Sequence, residues 1–419
     1  MFTWSERQLC ALRPMSKGGH AIQALRLRPS SPDHTIIMFG GSDAYGVSYN
    51  DVIAVEPPPV DATTTTSDAS SWRCTELQPT NSGIISQRMG HSSVKVPTSL
   101  VLTPPTSLPP SAQTDDVEGP SESDWSVESM VVFGGYQAVP DMIVHDDLYA
   151  IAVRSRWSEV IGTWKAPPLL RVERVQTIGA VSPSARHSHA SCTNTAGTSM
   201  FVMGGSGTEG GVLRDCFEFS FVHKLWQEIT LPGLGIPREM VSAVCFGKRK
   251  YADTATTSST SHIAVYGGRD VLGQLSSDVT LLHHYNNNDA ASATAVSLDV
   301  VPQDISQGAP LCCHTTLQLA PWVALTVGGL SSMGPPPFDT LMVANEEGTT
   351  ARCVPIPRSI RNSSSGEITP APAGLFGFGH SSCSWQPSSG GPSRYVVVSG
   401  LTPDAASGTL EVFELLFQR

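Results

Sequence analysis

The chain has 419 residues, a formal net charge of −11, 37 glycines and 32 prolines. So acidic a chain is a poor general binder of duplex DNA, whose nonspecific affinity comes from phosphate neutralisation, and it has no run of about 18 apolar residues to span a membrane. Its nine cysteines are odd in number, scattered and without a C-x-x-C, which fits a reduced, cytoplasmic setting better than a disulfide framework or a zinc module.

From the N-terminus, Met1–Arg7 lacks both the apolar core of a signal peptide and the arginine-rich look of a transit peptide. Phe2-Thr-Trp4 and the residues to Leu9 read instead as a strand with no partner nearby. A first repeat, at about 17–77, opens with Lys17-Gly-Gly-His20, runs through His34–Gly41 and Asn50–Val55, and closes at Trp72. Its polar tract from Pro57 to Ser71 is a surface loop by composition. The second, at about 88–162, has Arg88-Met-Gly-His91, Met130–Gly135, Asp147–Val153 and Trp157. Between its first two strands lies an insert at about 97–126, rich in Ser, Pro, Thr and acids, which reads as disordered. The third, at about 184–231, is the cleanest: Arg186-His-Ser-His-Ala190, Ser199–Gly205, Arg214–Phe221 and a strand carrying Trp226.

The fourth repeat, at about 237–300, begins at Arg238-Glu-Met-Val241 and continues through His262–Gly268, Asp278–Leu282 and Ala295–Val300. The fifth, at about 310–355, has Leu311-Cys-Cys-His314, Val323–Gly329, Asp339–Val343 and Ala351–Pro355. The sixth, at about 375–419, has Gly377-Phe-Gly-His380, Tyr395–Gly400 and Leu410–Leu416, and stops one strand short. Four short strands per unit, repeated six times, predict an all-β, six-bladed β-propeller. Residues 2–9 are the missing strand of the last blade, and that pairing leaves the ring without an open edge.

The diglycines after apolar strands, the R-x-x-H openings and the Trp of the fourth strand in repeats one to three resemble the kelch-repeat family over essentially the whole chain. Departures are Ser399 in place of the first Gly of the sixth pair and the missing Trp in repeats four and five. Within that family, Arg186–Ala190 followed by Gly204-Gly205 resembles the propeller half of the tRNA wybutosine-synthesising, leucine-carboxyl-methyltransferase-like proteins. The glycine-rich strand–helix unit that would seat S-adenosylmethionine is absent. That resemblance implies an accessory role in tRNA modification, with the chemistry on a separate methyltransferase.

Histidine recurs at one repeat position, in His20, His91, His189, His314 and His380, with Val241 in the fourth. Such a ring can bind a metal; the plainer reading, which the kelch resemblance favours, pairs each imidazole with backbone between blades. Asp51, Asp215, Asp278 and Asp339 fall ten residues after the second Gly of their pair and Asp147 twelve after. They read as turn-closing aspartates, since acid–base work needs two carboxyls facing one cleft. Cys312-Cys313 reads as strand residues pointing to opposite sides of the sheet. No metal, no cofactor and no catalytic constellation is expected.

Three residues before each repeat histidine stand Lys17, Arg88, Arg186 and Arg238, then Leu311 and Gly377. These four cations, on the loops entering each blade, are the candidate partner-binding residues: a basic crescent for an acidic peptide or a phosphate. The competing reading has Glu209, Glu239 or Asp270 neutralising them. The functional expectation is a non-catalytic protein-interaction scaffold or adaptor. The alternatives are the tRNA-modification accessory and an enzyme with its site in the central channel.

Overall fold

The computed structural model describes residues 2–7, 9–10, 16–27, 34–56, 72–79, 85–102, 125–154, 169–229, 237–247, 260–285, 308–346, 350–362, 365–385, 392–401 and 409–417. They form six blades of mainly antiparallel strands arranged as a propeller, blades 1 and 2 being joined by a short parallel pairing of Leu169–Leu170 with Gln78–Pro79. Blade 3 shows the plan. Strands Ala190–Thr193, Ser199–Met203, Cys216–Ser220 and Leu225–Glu228 are hydrogen-bonded in that order, from the central channel outwards. Its second strand is buried throughout because both its faces are covered by neighbouring blades. Apolar side chains of adjacent blades form the core: Phe133 and Val131 of blade 2 pack with Met200, Phe219 and Trp226 of blade 3. Among the described residues no helix is long and apolar enough to cross a membrane.

Each diglycine marks the seam between two blades. At Gly204 (φ 60°) an added Cβ would lie 2.5 Å from the carbonyl oxygen of Arg238 in the next blade. At Gly205 (φ 94°) it would meet the His187 carbonyl at 2.6 Å. Both the left-handed backbone and the close approach exclude a side chain. The second glycine's N–H then donates across the seam: Gly41 to Arg88 O, Gly135 to Arg186 O, Gly205 to Arg238 O and Gly268 to Leu311 O, at 2.7–3.0 Å.

The N-terminal strand closes the ring. Phe2–Arg7 lies antiparallel on Val412–Phe417, with Trp4 opposite Leu415. Glu414, buried in that last strand, holds Arg7 at 2.5 Å and Arg394 at 2.7 Å. The closure differs from expectation in one respect. Residues 2–9 are not one strand: Leu9–Cys10 crosses to blade 1 and runs parallel to Trp72–Arg73. The segment therefore grips both sides of the seam. A hairpin not foreseen, Ser359–Arg361 with Ile368–Pro370, adds a parallel neighbour to the closing strand.

Two further expectations shift, and a third falls outside the described residues. The outer strand of blade 2 is Leu169–Arg174, paired with Leu148–Arg154, so the strand expected at Trp157 is misplaced and Trp157 itself lies outside the described residues. The fourth strand expected at 295–300 also lies outside them. The 97–126 insert is shorter than its composition suggests. Thr98–Leu100 forms a 3₁₀ turn, Val101 and Leu102 are buried with Phe221 and Trp226, and Ser126 is buried. The remainder, 103–124, lies outside the described residues.

Candidate functional site

The innermost strands of all six blades surround a channel with a cavity of about 410 Å³ at the end where those strands begin. A second, of about 140 Å³, lies further along. The mouth is framed by six equivalent residues, each immediately before a repeat histidine or its counterpart Val241: Gly19, Gly90, Ser188, Met240, Cys313 and Gly379. All six have a left-handed backbone, with φ between 55° and 70°. Their main chains link around the channel. Gly90 N–H donates to Gly19 O, Ser188 to Gly90, Met240 to Ser188, Cys313 to Met240 and Gly19 to Gly379, at 2.7–3.1 Å. Left-handed geometry costs glycine nothing, but it is unfavourable for Ser188, Met240 and Cys313. Because Cys313 sits in that geometry, Cys312 and Cys313 do not alternate across the sheet as regular strand residues would.

The repeat histidines lie at the seams. The His314 Nε2 bonds Tyr266 O at 3.1 Å and His380 Nε2 bonds Val327 O at 2.9 Å, each on the second strand of the preceding blade. His189 Nε2 meets Ser92 Oγ at 2.7 Å, and its ring stacks edge-on with Phe133. Burial pushes His20 and His314 down to about 4 and holds His91, His189 and His380 below the ordinary imidazole value. These imidazoles are neutral packing groups. Among the described residues no three His, Cys, Asp or Glu side chains converge to hold a metal.

The four entry cations do not form an open crescent. Arg186 is fully buried; its Nη1 and Nη2 bond the two carboxylate oxygens of Asp215 at 2.5 and 2.8 Å, and Nη1 also reaches Gly204 O. Arg88 repeats this with Asp147 and Gly134 O. Lys17 pairs with Asp51. Arg238 donates instead to Gly267 O at 3.1 Å, Ser276 Oγ at 3.2 Å and Thr280 Oγ1 at 2.9 Å, and burial lowers its pKa.

The repeat aspartates are therefore partners of these cations in blades 1 to 3 rather than turn closers. Asp339 has no cation at Leu311 in its own blade and takes Arg358 from the connection to blade 6. Of the acids expected to neutralise the cations, Glu239 pairs with Arg269, Asp270 closes its own turn through Leu272 N and Gln274 N, and Glu209 is exposed. A fork-shaped guanidinium bound to a carboxylate and a backbone carbonyl fixes the glycine turn to the third strand of its blade. It is a structural device.

What the mouth face offers to solvent lies at the tips of the loops joining the second and third strands. Tyr45 (90 % exposed) stands in blade 1, Met142 (60 %) in blade 2, Leu272 (77 %) in blade 4 and Met333 (94 %) in blade 5. Val139, Ile143 and Val271 add to the same tips. The exposed carboxylates of these loops are Asp141, Asp146, Glu209 and Asp278. Against them stand the exposed Arg214 and the half-buried Arg269, the latter paired with Glu239. The face is apolar and acidic. Repeat reading missed it, because loop tips carry no repeat signal; exposed Tyr and Met in short turns were the available hint.

No family model and no curated protein matches the chain. Among solved structures it is similar to a chain of a cryo-EM structure of RAG in complex with one melted RSS and one unmelted RSS. The TM-score is 0.60 at 12 % identity, covering 99 % of this chain and 100 % of that one. At such identity the likeness establishes the propeller fold and carries no function with it.

Proposed function

We propose that the chain is a non-catalytic protein-interaction scaffold that seats its partner across the mouth face. The observation that carries this reading is the set of large apolar side chains held out at the loop tips of blades 1, 2, 4 and 5. Isolated exposed apolar residues are ordinary, but their recurrence on one face around one opening is the pattern of a binding surface. The seam histidines and entry cations, the most numerous titratable groups nearby, are already occupied in holding blades together.

The charge of the loops changes the partner that sequence reading anticipates. With Lys17, Arg88 and Arg186 paired internally and Arg238 bonded within its own blade, an acidic peptide has little to bind. Apolar anchors flanked by lysine or arginine complement the face better. The tRNA-modification reading gains nothing here, since RNA binding also rests on phosphate neutralisation.

The test compares wild type with a Tyr45→Ser/Leu272→Ser/Met333→Ser variant in quantitative affinity purification. These side chains are exposed, so the variant should melt within a degree or two of wild type while losing the proteins wild type retains. Equal retention by the folded variant would remove the mouth face as the binding surface.

A further inference from the structure

The cavity of about 410 Å³ at the channel mouth falls within the ~300–1,000 Å³ of small-molecule pockets. Among the described residues its wall carries no Asp, Glu, Lys or Arg, and ten of its residues are Ser or Thr. These hydroxyls meet across the blade seams. Ser242 Oγ lies 2.6 Å from Thr316 Oγ1, and Thr315 Oγ1 lies 2.6 Å from Ser382 Oγ. Gln23 Nε2 donates to Ser93 Oγ at 3.1 Å. A hydroxyl has one proton and two lone pairs, so a bonded pair of them keeps a donor and acceptors to spare. Ser191 lines this cavity and the smaller one, and its hydroxyl bonds no described residue. Two aromatic rings complete the wall: Tyr136, and Phe378, which precedes Gly379 at the mouth and is 41 % exposed.

We propose that this cavity binds an uncharged sugar, with one or two pyranose rings entering from the mouth. The chemistry of the wall excludes the other classes. An anion would lack a cation: among the described residues Lys95 alone brings a charge to either cavity, in the smaller one, and it lies 3.5 Å from Glu128. A cation would lack a carboxylate, and a charge left unpaired away from water is costly. A wholly apolar ligand would strip water from the hydroxyls and return no hydrogen bond. A sugar meets both kinds of surface. Its hydroxyls donate and accept as those of Ser and Thr do. Its weakly positive C–H edges pack on the negative faces of aromatic rings. The site uses the channel wall and not the loop tips, so the inference stands independently of the proposed partner.

The experiment uses the full chain and saturation-transfer difference NMR. The probes are glucose, galactose and mannose, their methyl glycosides, and maltose, lactose and cellobiose. At least one should receive saturation from wild type, and glucose 6-phosphate and glucuronate, which carry charge, should not displace it. Ser191→Leu, which fills the channel, should abolish the signal. Phe378→Ser, at an exposed site, should weaken binding several-fold without changing the melting temperature. The Tyr45→Ser/Leu272→Ser/Met333→Ser variant should bind sugar as wild type does. Preference for the methyl glycosides would mark a glycan end as the natural ligand, and preference for the free hexoses a free sugar. Transfer to none of the probes, or equal transfer in Ser191→Leu and Phe378→Ser, overturns the proposal. Should Ser191→Leu not fold, Ser191→Ala decides, because the hydroxyl it removes bonds no described residue; unchanged affinity there would sink the site.

Discussion

Arg358 stands beside Asp339 where Lys17, Arg88 and Arg186 stand beside the aspartates of their own blades, but it reaches there from the connection between blades 5 and 6. Its Nε and Nη2 bond Asp339 Oδ1 at 2.9 and 2.7 Å, while Trp4 Nε1 takes Oδ2 at 2.9 Å. Both charged side chains are about 1 % exposed. One carboxylate thus ties blade 5, the next connection and the N-terminal strand together. Arg358→Met leaves that buried carboxylate without its cation and should cost about 3–5 kcal/mol. Denaturant unfolding measures this; a loss below about 1 kcal/mol would show that water or another group compensates.

The same logic makes Arg186 a stability residue. Arg186→Met should destabilise by about 3 kcal/mol, at the low end for a broken buried pair because Asp215 keeps partial access to water. Charge reversal to Glu should be worse. A folded Arg186→Glu protein of wild-type stability that had lost a partner would restore the crescent to consideration.

Trp4 is 1 % exposed and packs edge-on against Phe376, with ring centroids 5.0 Å apart. Trp4→Ala should cost about 3–5 kcal/mol from the lost burial and cavity, beyond which Asp339 loses a donor. Deleting residues 2–7 should lower the melting temperature of the whole ring in one transition. A separate early transition confined to blade 6 would show that closure does not couple the blades.

Acid should weaken the fold through the seam histidines. Their folded pKa values lie below the unfolded value near 6.5, with His20 and His314 at about 4. The unfolded chain therefore binds more protons, and stability falls as pH drops from about 6.5 towards 4. His20 and His314 each contribute up to about 1.4 kcal/mol per pH unit across that window. His314→Gln should flatten the slope of stability against pH between 6.5 and 4. An unchanged slope would mean that this imidazole titrates normally.

Val101 and Leu102 close a hydrophobic cluster, whereas the tract after them is polar by composition. Leu102→Ala should cost about 2–4 kcal/mol. Replacing 103–124 with a short Gly/Ser turn should cost little, since loop length enters stability only logarithmically. Loss of soluble protein from the loop replacement would contradict this.

The blade count, the diglycine seams and the ring closure were legible because each rests on a repeated backbone requirement. Gly40-Gly41 and its copies need positive φ and close approach, and only glycine meets both. The candidate site was legible only as positions. That Arg186 and Asp215 recur in register was visible; that they pair with each other was not, because a strand's spacing does not show which way a side chain turns. The outer strand at Leu169–Arg174 was missed because Trp157 offered a stronger local signal. Met240 and Cys313 belong to different repeats, and only the closed ring brings them together.

The pairing of Phe2–Arg7 with Val412–Phe417 also has a bearing on synthesis. Phe2–Arg7 has as its partner a strand translated on the order of 400 residues later. At 5–20 residues per second that is a wait of roughly 20–80 s. Throughout it, Trp4 and its neighbours form a nascent, unclaimed strand beside partly built blades, the state in which pairing with another chain competes with pairing within one. Translation speed and chaperone occupancy, rather than the final energy of the ring, then decide how many chains close on themselves.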